Sequence, residues 1–190
     1  MQTEKGIPVV GPFLNKLIGS RNDRFVKKYT TRVERISAHE AEVSAMTDEQ
    51  LRGKRVELSE RLKKGESEDL VMIEAIAVAR EVMDRNVGIR NVLNPEAGFD
   101  PSKLTGEARG WYDKAVAEVA SMEPAAPEGD FQGCAEPTPA WRFVDLPVGF
   151  YAAIRELYPH SRPPFRARPF DVQLIGAMVL SQGKIAEMKT

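Results

Sequence analysis

Apolar positions recur along most of this chain at helical spacing, and polar breaks divide them into segments. Phe13, Leu14, Leu17 and Ile18 fall at i, i+1, i+4 and i+5, which predicts a short amphipathic helix ended by Gly19 and Ser20. Ser20 or Asn22 can cap the next helix, because a side-chain oxygen there accepts from backbone N–H groups that the first turn leaves without partners. That helix is expected to run to about Ala45, with Phe25, Tyr29, Val33, Ile36 and Val43 on one face. Thr47 followed three residues later by Gln50 is a capping-box pattern. The helix it opens carries Leu51, Leu58 and Leu62 and should end near Gly65, which tolerates the left-handed backbone of a helix end. Ser67 opens a third helix that runs through Val87 and stops at Gly88. Leu70, Ile73, Ile76, Ala77, Val82 and Met83 leave its middle little polar surface, so it is expected to be the centrally buried helix.

The pattern changes after Arg90. Asn94-Pro95 and Asp100-Pro101 are turn signals. Residues 107–122 read as a helix with Trp111, Ala115, Val119 and Met122 on one side, and Trp111 and Trp141 are expected as packing anchors. Residues 123–140 hold Pro124, Pro127, Pro137 and Pro139 with two glycines and read as an extended linker that buries little. The whole stretch 91–165 is therefore expected to be more dispensable than the helices before it. Pro147 suits the first turn of a helix carrying Val148, Tyr151, Ile154 and Leu157. Pro159, Pro163, Pro164 and Pro169 hold the chain extended up to a short helix with Gln173 near its start. A turn follows, and residues 184–188 read as a strand.

Charge adds an asymmetry. Net charge is −1, but residues 1–35 carry Lys5, Lys16, Arg21, Arg24, Lys27, Lys28, Arg32 and Arg35 against Glu4, Asp23 and Glu34. Overall neutrality argues against nucleic acid as the main ligand. No apolar run approaches 18 residues, so no membrane-spanning helix is predicted. The start of the chain lacks the apolar core of a secretory signal. Cys134 is the single cysteine, which excludes an internal disulfide and a Cys-based metal cluster. His39 and His160 lack metal-ligand spacing, no Ser–His–Asp arrangement is present, and no catalytic or metal-ligating residue is assigned.

Gln173 carries the sharpest chemistry. Its carboxamide offers a donor and an acceptor on one rigid group, and the adenine edge presents an N6 donor beside an N7 acceptor. One glutamine meets both, a pairing that guanine does not satisfy. The same position also suits a surface glutamine beside a core phenylalanine, and spacing alone favours that simpler role.

The surrounding residues resemble a known family. Arg168, Phe170, Asp171, Val172, Gln173, Leu174, Gly176, Met178, Val179 and Leu180 fall on the R-x-F-D-V-Q-L-x-G-G-M-V-L pattern of SecA-type preprotein translocase ATPases, with Ala177 where that family usually has glycine. Ile185, Ala186, Glu187, Met188, Lys189 and Thr190 resemble its I-A-E-M-(K/R)-T run. Gly19-Ser20-Arg21-Asn22-Asp23-Arg24, the Met46 to Arg52 segment, Arg61 to Glu66 and Glu74 to Glu81 match in the family's order. The resemblance covers roughly residues 13–90 and 166–190.

It implies a mainly α piece, the helical N-terminal part of an α/β P-loop motor domain of RecA-like, DEAD-like type with one terminal strand. The implied organisation is 1–90 as the N-terminal helical region, 91–165 as an insertion, and 166–190 as the Gln motif and first strand. It implies that Gln173 reads adenine, Phe170 packs beside the base and Arg168 lies near the same pocket, with Met188, Lys189 and Thr190 where the phosphate loop would begin. Lys189 precedes that loop and is not the phosphate lysine. ATP and magnesium are the implied cofactors of a completed protein. The phosphate loop and the Walker B acid lie outside these 190 residues, so the chain alone is expected to be inactive. The implied partners are the Sec channel and anionic phospholipid at the basic, apolar N-terminus, preprotein, and a homodimer mate, in the cytoplasm and on the inner face of the cell membrane. The N-terminal patch equally suits simple packing on the domain. The alternative for the whole chain is a non-catalytic helical interaction module at the membrane or on a full-length motor.

Overall fold

The corner at Thr47 forms as its spacing predicts. In the computed structural model, which describes residues 21–124 and 137–187, the Gln50 N–H donates to Thr47 Oγ1 at 3.2 Å and the Thr47 N–H donates to Gln50 Oε1 at 2.7 Å. Each bond satisfies a backbone or side-chain group that a bare helix start leaves open. The expected helix around residues 13–18, the side chain of Phe25, most of the Pro-rich run including Cys134, and Met188, Lys189 and Thr190 lie outside the described residues.

Seven α-helices are described: α1 Arg21–Ala38, α2 Glu40–Ser44, α3 Asp48–Lys63, α4 Glu68–Met83, α5 Gly106–Ser121, α6 Val148–Leu157 and α7 Asp171–Ser181. The expected single helix up to Ala45 is two. At His39 the backbone N–H bonds back three residues, to the Ile36 carbonyl, which tightens the turn before Val43 resumes the four-residue bond to the His39 carbonyl. Gly65 ends α3 with φ of +86°, and its N–H donates to the Leu62 carbonyl at 2.9 Å.

The described residues form two compact units. One holds α1 up to Arg35 together with α7 and the residues after it. It buries Tyr29, Val33, Leu174 and Met178, and the Tyr29 hydroxyl donates to Gln182 Oε1 at 3.0 Å. The other unit is Ile36–Phe170.

In the second unit α4 is half-buried, with its buried face set differently from the one its apolar residues suggest. Val71, Ile73, Ala77 and Val78 are inside, and so are Glu74 and Glu81, while Leu70 and Met83 stand 47% and 41% exposed. The acids are tolerated because cations meet them: Lys54 reaches Glu74 at 2.9 Å, and Arg61 bonds Glu74 and Glu66. After Met83 the helix widens into a π turn, Asp84–Gly88, and then tightens into a 3-10 segment, Ile89–Leu93.

Residues 91–165 bury far more than their proline content suggests. The main hydrophobic cluster joins Ile89, Val92 and Leu93 to Leu104, Trp141, Val144, Phe150, Tyr151 and Ile154, with Trp111 packed against it. Trp111 and Trp141 thus anchor packing as expected. This burial argues against a dispensable stretch: α5 gives the cluster Ala108 and Ala115, α6 gives it Phe150, Tyr151 and Ile154, and the segments before and between them give it Leu104, Trp141, Val144 and Leu146.

No strand forms among the described residues. Residues 184–187, expected as the start of a strand, are irregular, and Ile185 is 95% exposed. A strand needs a neighbour to receive its backbone hydrogen bonds, and the described residues offer none there.

Candidate functional site

The chain leading into the Gln173 helix is fastened by two carboxylates of the second unit. Asp84, wholly buried, accepts from Arg166 Nε at 2.9 and 3.2 Å, from the Ala167 N–H at 3.3 Å and from Arg155 Nε at 3.3 Å. Arg166 also donates to the Tyr158 carbonyl at 2.6 Å. Burial alone would push the Asp84 carboxyl up, but the bond from Arg166, the charges of Arg166 and Arg155 and the Ala167 N–H outweigh it and hold it below the ordinary aspartate value. Two residues on, both terminal nitrogens of Arg168 donate to the two oxygens of Glu40, a bidentate pair. That bond holds Glu40 below its usual range. The Arg168 N–H donates to Ser161 Oγ at 2.8 Å.

Gly88 makes the crossing possible. A Cβ there would stand 2.4 Å from the Ala167 nitrogen and 2.8 Å from the Arg166 backbone, so only glycine lets the two strands of chain pass. Asn91 closes the same crossing, donating from Nδ2 to the Val87 carbonyl at 2.6 Å and to the Pro164 carbonyl at 2.7 Å. The chain therefore leaves at residues 88–91 and returns at 164–167 beside its own departure point.

Of the residues assigned from sequence, Arg168 and Phe170 lie in the second unit and Gln173 in the first. The Arg168 guanidinium is committed to Glu40. Phe170 is 65% exposed. Gln173 is exposed in the first turn of α7. Asp171 opens that helix, a favourable place for a negative charge. Met188, Lys189 and Thr190 lie outside the described residues.

A second cluster went unread in the sequence. Asp48 accepts from Arg85 Nη1 at 3.0 Å, from Arg90 Nη2 at 2.6 Å and from the Tyr151 hydroxyl at 2.6 Å. Arg85, 1% exposed, also bonds Glu81 at 2.6 Å and lies 4.3 Å over the Tyr151 ring. Arg90 donates to the Val144 carbonyl, and Arg155 reaches Glu81 at 2.7 Å. Burial would raise the Asp48 carboxyl, but the Tyr151 bond and the two arginines hold it below its ordinary value. Burial, reinforced by the bond to Asp48, pushes the Tyr151 hydroxyl up. This network welds α3 and α4 to α6. His160 is not part of it.

The SecA DEAD-like domain model matches residues 14–94 and 140–190. The protein translocase subunit SecA of Caulobacter vibrioides is 49% identical over 79 residues, 42% of this chain and 9% of that protein. The subunit of the same name in Dechloromonas aromatica is 45% identical over 115 residues, 60% of this chain and 12% of that protein. One from Thermodesulfovibrio yellowstonii is 46% identical over 78 residues. The chain thus spans about a tenth of the length of these relatives. No solved structure matches it. With the family's pattern matched on both sides of residues 95–139, over more than half of the chain, the chain belongs to the SecA DEAD-like domain family.

Proposed function

We propose that this chain supplies the adenine-reading N-terminal part of an ATP-driven protein translocase that moves preproteins through the Sec channel. The observation that carries the reading is the placement of Gln173, exposed in the first turn of α7, within a segment that matches the family. Its carboxamide has the donor and acceptor that the adenine edge requires, and Phe170, an aromatic of the kind that packs beside a base, precedes it by three residues. ATP would be read at this end by Gln173, with Phe170 beside the base and Arg168 near it. Met188, Lys189 and Thr190 would form the approach to the phosphates. Magnesium would help neutralise phosphate charge in a completed protein. Among the described residues no group of three His, Cys, Asp or Glu could hold that ion, so it is not assigned to them.

The implied partners are the channel, preprotein, anionic phospholipid at the basic N-terminus, and a second copy of the motor. The implied place is the cytoplasm and the inner face of the membrane. No helix among the described residues is long and apolar enough to cross a membrane. The test uses a protein in which residues 1–190 continue into a phosphate loop, assayed for preprotein uptake by inverted membrane vesicles. Gln173→Ala is expected to slow uptake about tenfold at limiting ATP, the loss of a base-reading pair worth about 1–3 kcal/mol, with recovery at high ATP. A parent protein driven equally well by GTP would overturn the reading.

A further inference from the structure

A groove of about 1170 Å³ is lined by residues of α3 and α4 in the second unit. Ordinary small-molecule sites occupy roughly 300–1,000 Å³, so its size suits a stretch of polypeptide better than a metabolite. Leu58, Val71, Val78 and Val82 give it an apolar floor. Leu62, Val87 and Phe143 at its edge stand 42%, 56% and 50% exposed. Side chains of this kind grouped around one concavity mark a contact surface. Leu51 and Leu62 both line it, and at 1.5 Å per residue they are about 16 Å apart along α3, the length of a three-turn guest helix.

Its charge selects the guest. Arg52, Arg55 and Arg142 line the groove and are exposed. Asp48 is the single carboxylate among the described lining residues, and it is already saturated by Arg85, Arg90 and Tyr151. Arg55 pairs with no carboxylate among the described residues, and the Arg52 partner, Asp145, is itself exposed, so that pair exchanges readily with a guest. We infer that this groove receives an amphipathic helix of a partner protein whose apolar stripe is flanked by carboxylates. A bilayer surface is too flat to reach the floor. A phosphate backbone would find the cations but leave the apolar floor uncovered. Helix-in-groove binding uses both features together.

The test measures fluorescence anisotropy of the 190-residue chain with a labelled 15-residue designed helix, leucines on one face and glutamates on both flanks. A control peptide carries lysine for every glutamate. The acidic peptide is expected to bind at least about tenfold more tightly than the basic one. Arg55→Glu with Arg142→Glu should invert that preference. Leu62→Asp, at an exposed position, should weaken the acidic peptide about tenfold with an unchanged circular dichroism spectrum. Equal binding of the two peptides, or binding unmoved by both sets of variants, overturns the inference. So does sedimentation showing a dimer that Leu62→Asp dissociates, which would assign the groove to a second copy of this chain.

Discussion

Asp48 concentrates the energetics of the second unit into one carboxylate. It is buried between two buried arginines and a buried tyrosine hydroxyl, so its removal leaves charges that water cannot reach. Breaking a buried pair in this way costs about 3–5 kcal/mol. Asp48→Ala is therefore expected to lower the urea unfolding midpoint by that equivalent at neutral pH. The pH dependence has a definite sign. Asp48 and Asp84 are held below the ordinary aspartate value of 3.8 in the folded chain, so the unfolded chain takes up protons first as pH falls. Their contribution is fully present above about pH 4 and is lost as pH drops through the lower folded values. Asp48→Asn should flatten this acid limb, and an unchanged limb would remove Asp48 from the account. Part of the network was visible in the chain: Glu81 and Arg85 are four apart on one helix face, the spacing of a helical ion pair. The rest was not, because the partners of Asp48 lie 37, 42 and 103 residues away, and no local pattern encodes such a meeting.

At the scale of elements, the capping box at Thr47, the Gly65 end of α3, and α5 to α7 were all legible, because each is written in a few adjacent residues. The break at His39 was not, since no proline or glycine announces it. The larger misreading concerned residues 91–165, where turn residues and prolines suggested an appendage. Prolines fix the connections, but Tyr151, Phe150 and Ile154 recur on one face of α6 and are fully buried. Phe150→Ala is therefore expected to destabilise by about 3–5 kcal/mol, comparable with Ile73→Ala in α4 at about 2–5 kcal/mol. Urea melts of the two variants check this. A midpoint that falls for Ile73→Ala and stays fixed for Phe150→Ala would make the stretch an appendage after all.

For the whole molecule, the basic N-terminus predicts a weak and reversible attraction to anionic lipid. Each Lys or Arg near such a surface adds on the order of 1 kcal/mol, and the attraction fades within a Debye length of ~10 Å at 0.1 M salt. Co-sedimentation with anionic vesicles should fall on raising salt and on deleting residues 1–20, and neutral vesicles should bind little. Retention unchanged by both treatments would make the patch a packing element. The candidate nucleotide residues were legible only through their resemblance to a family, because an exposed glutamine in the first turn of a helix has no signature of its own. Their placement, with Gln173 and Phe170 both exposed and the lead-in fastened by Asp84 and Glu40, leaves the adenine reading open to direct measurement. That measurement is calorimetric titration of ATP and GTP into a protein carrying residues 1–190 and a phosphate loop, with and without Gln173→Ala. The account predicts that the variant loses about 1–3 kcal/mol of ATP affinity and most of its preference over GTP. Equal ATP affinity in variant and parent would contradict it.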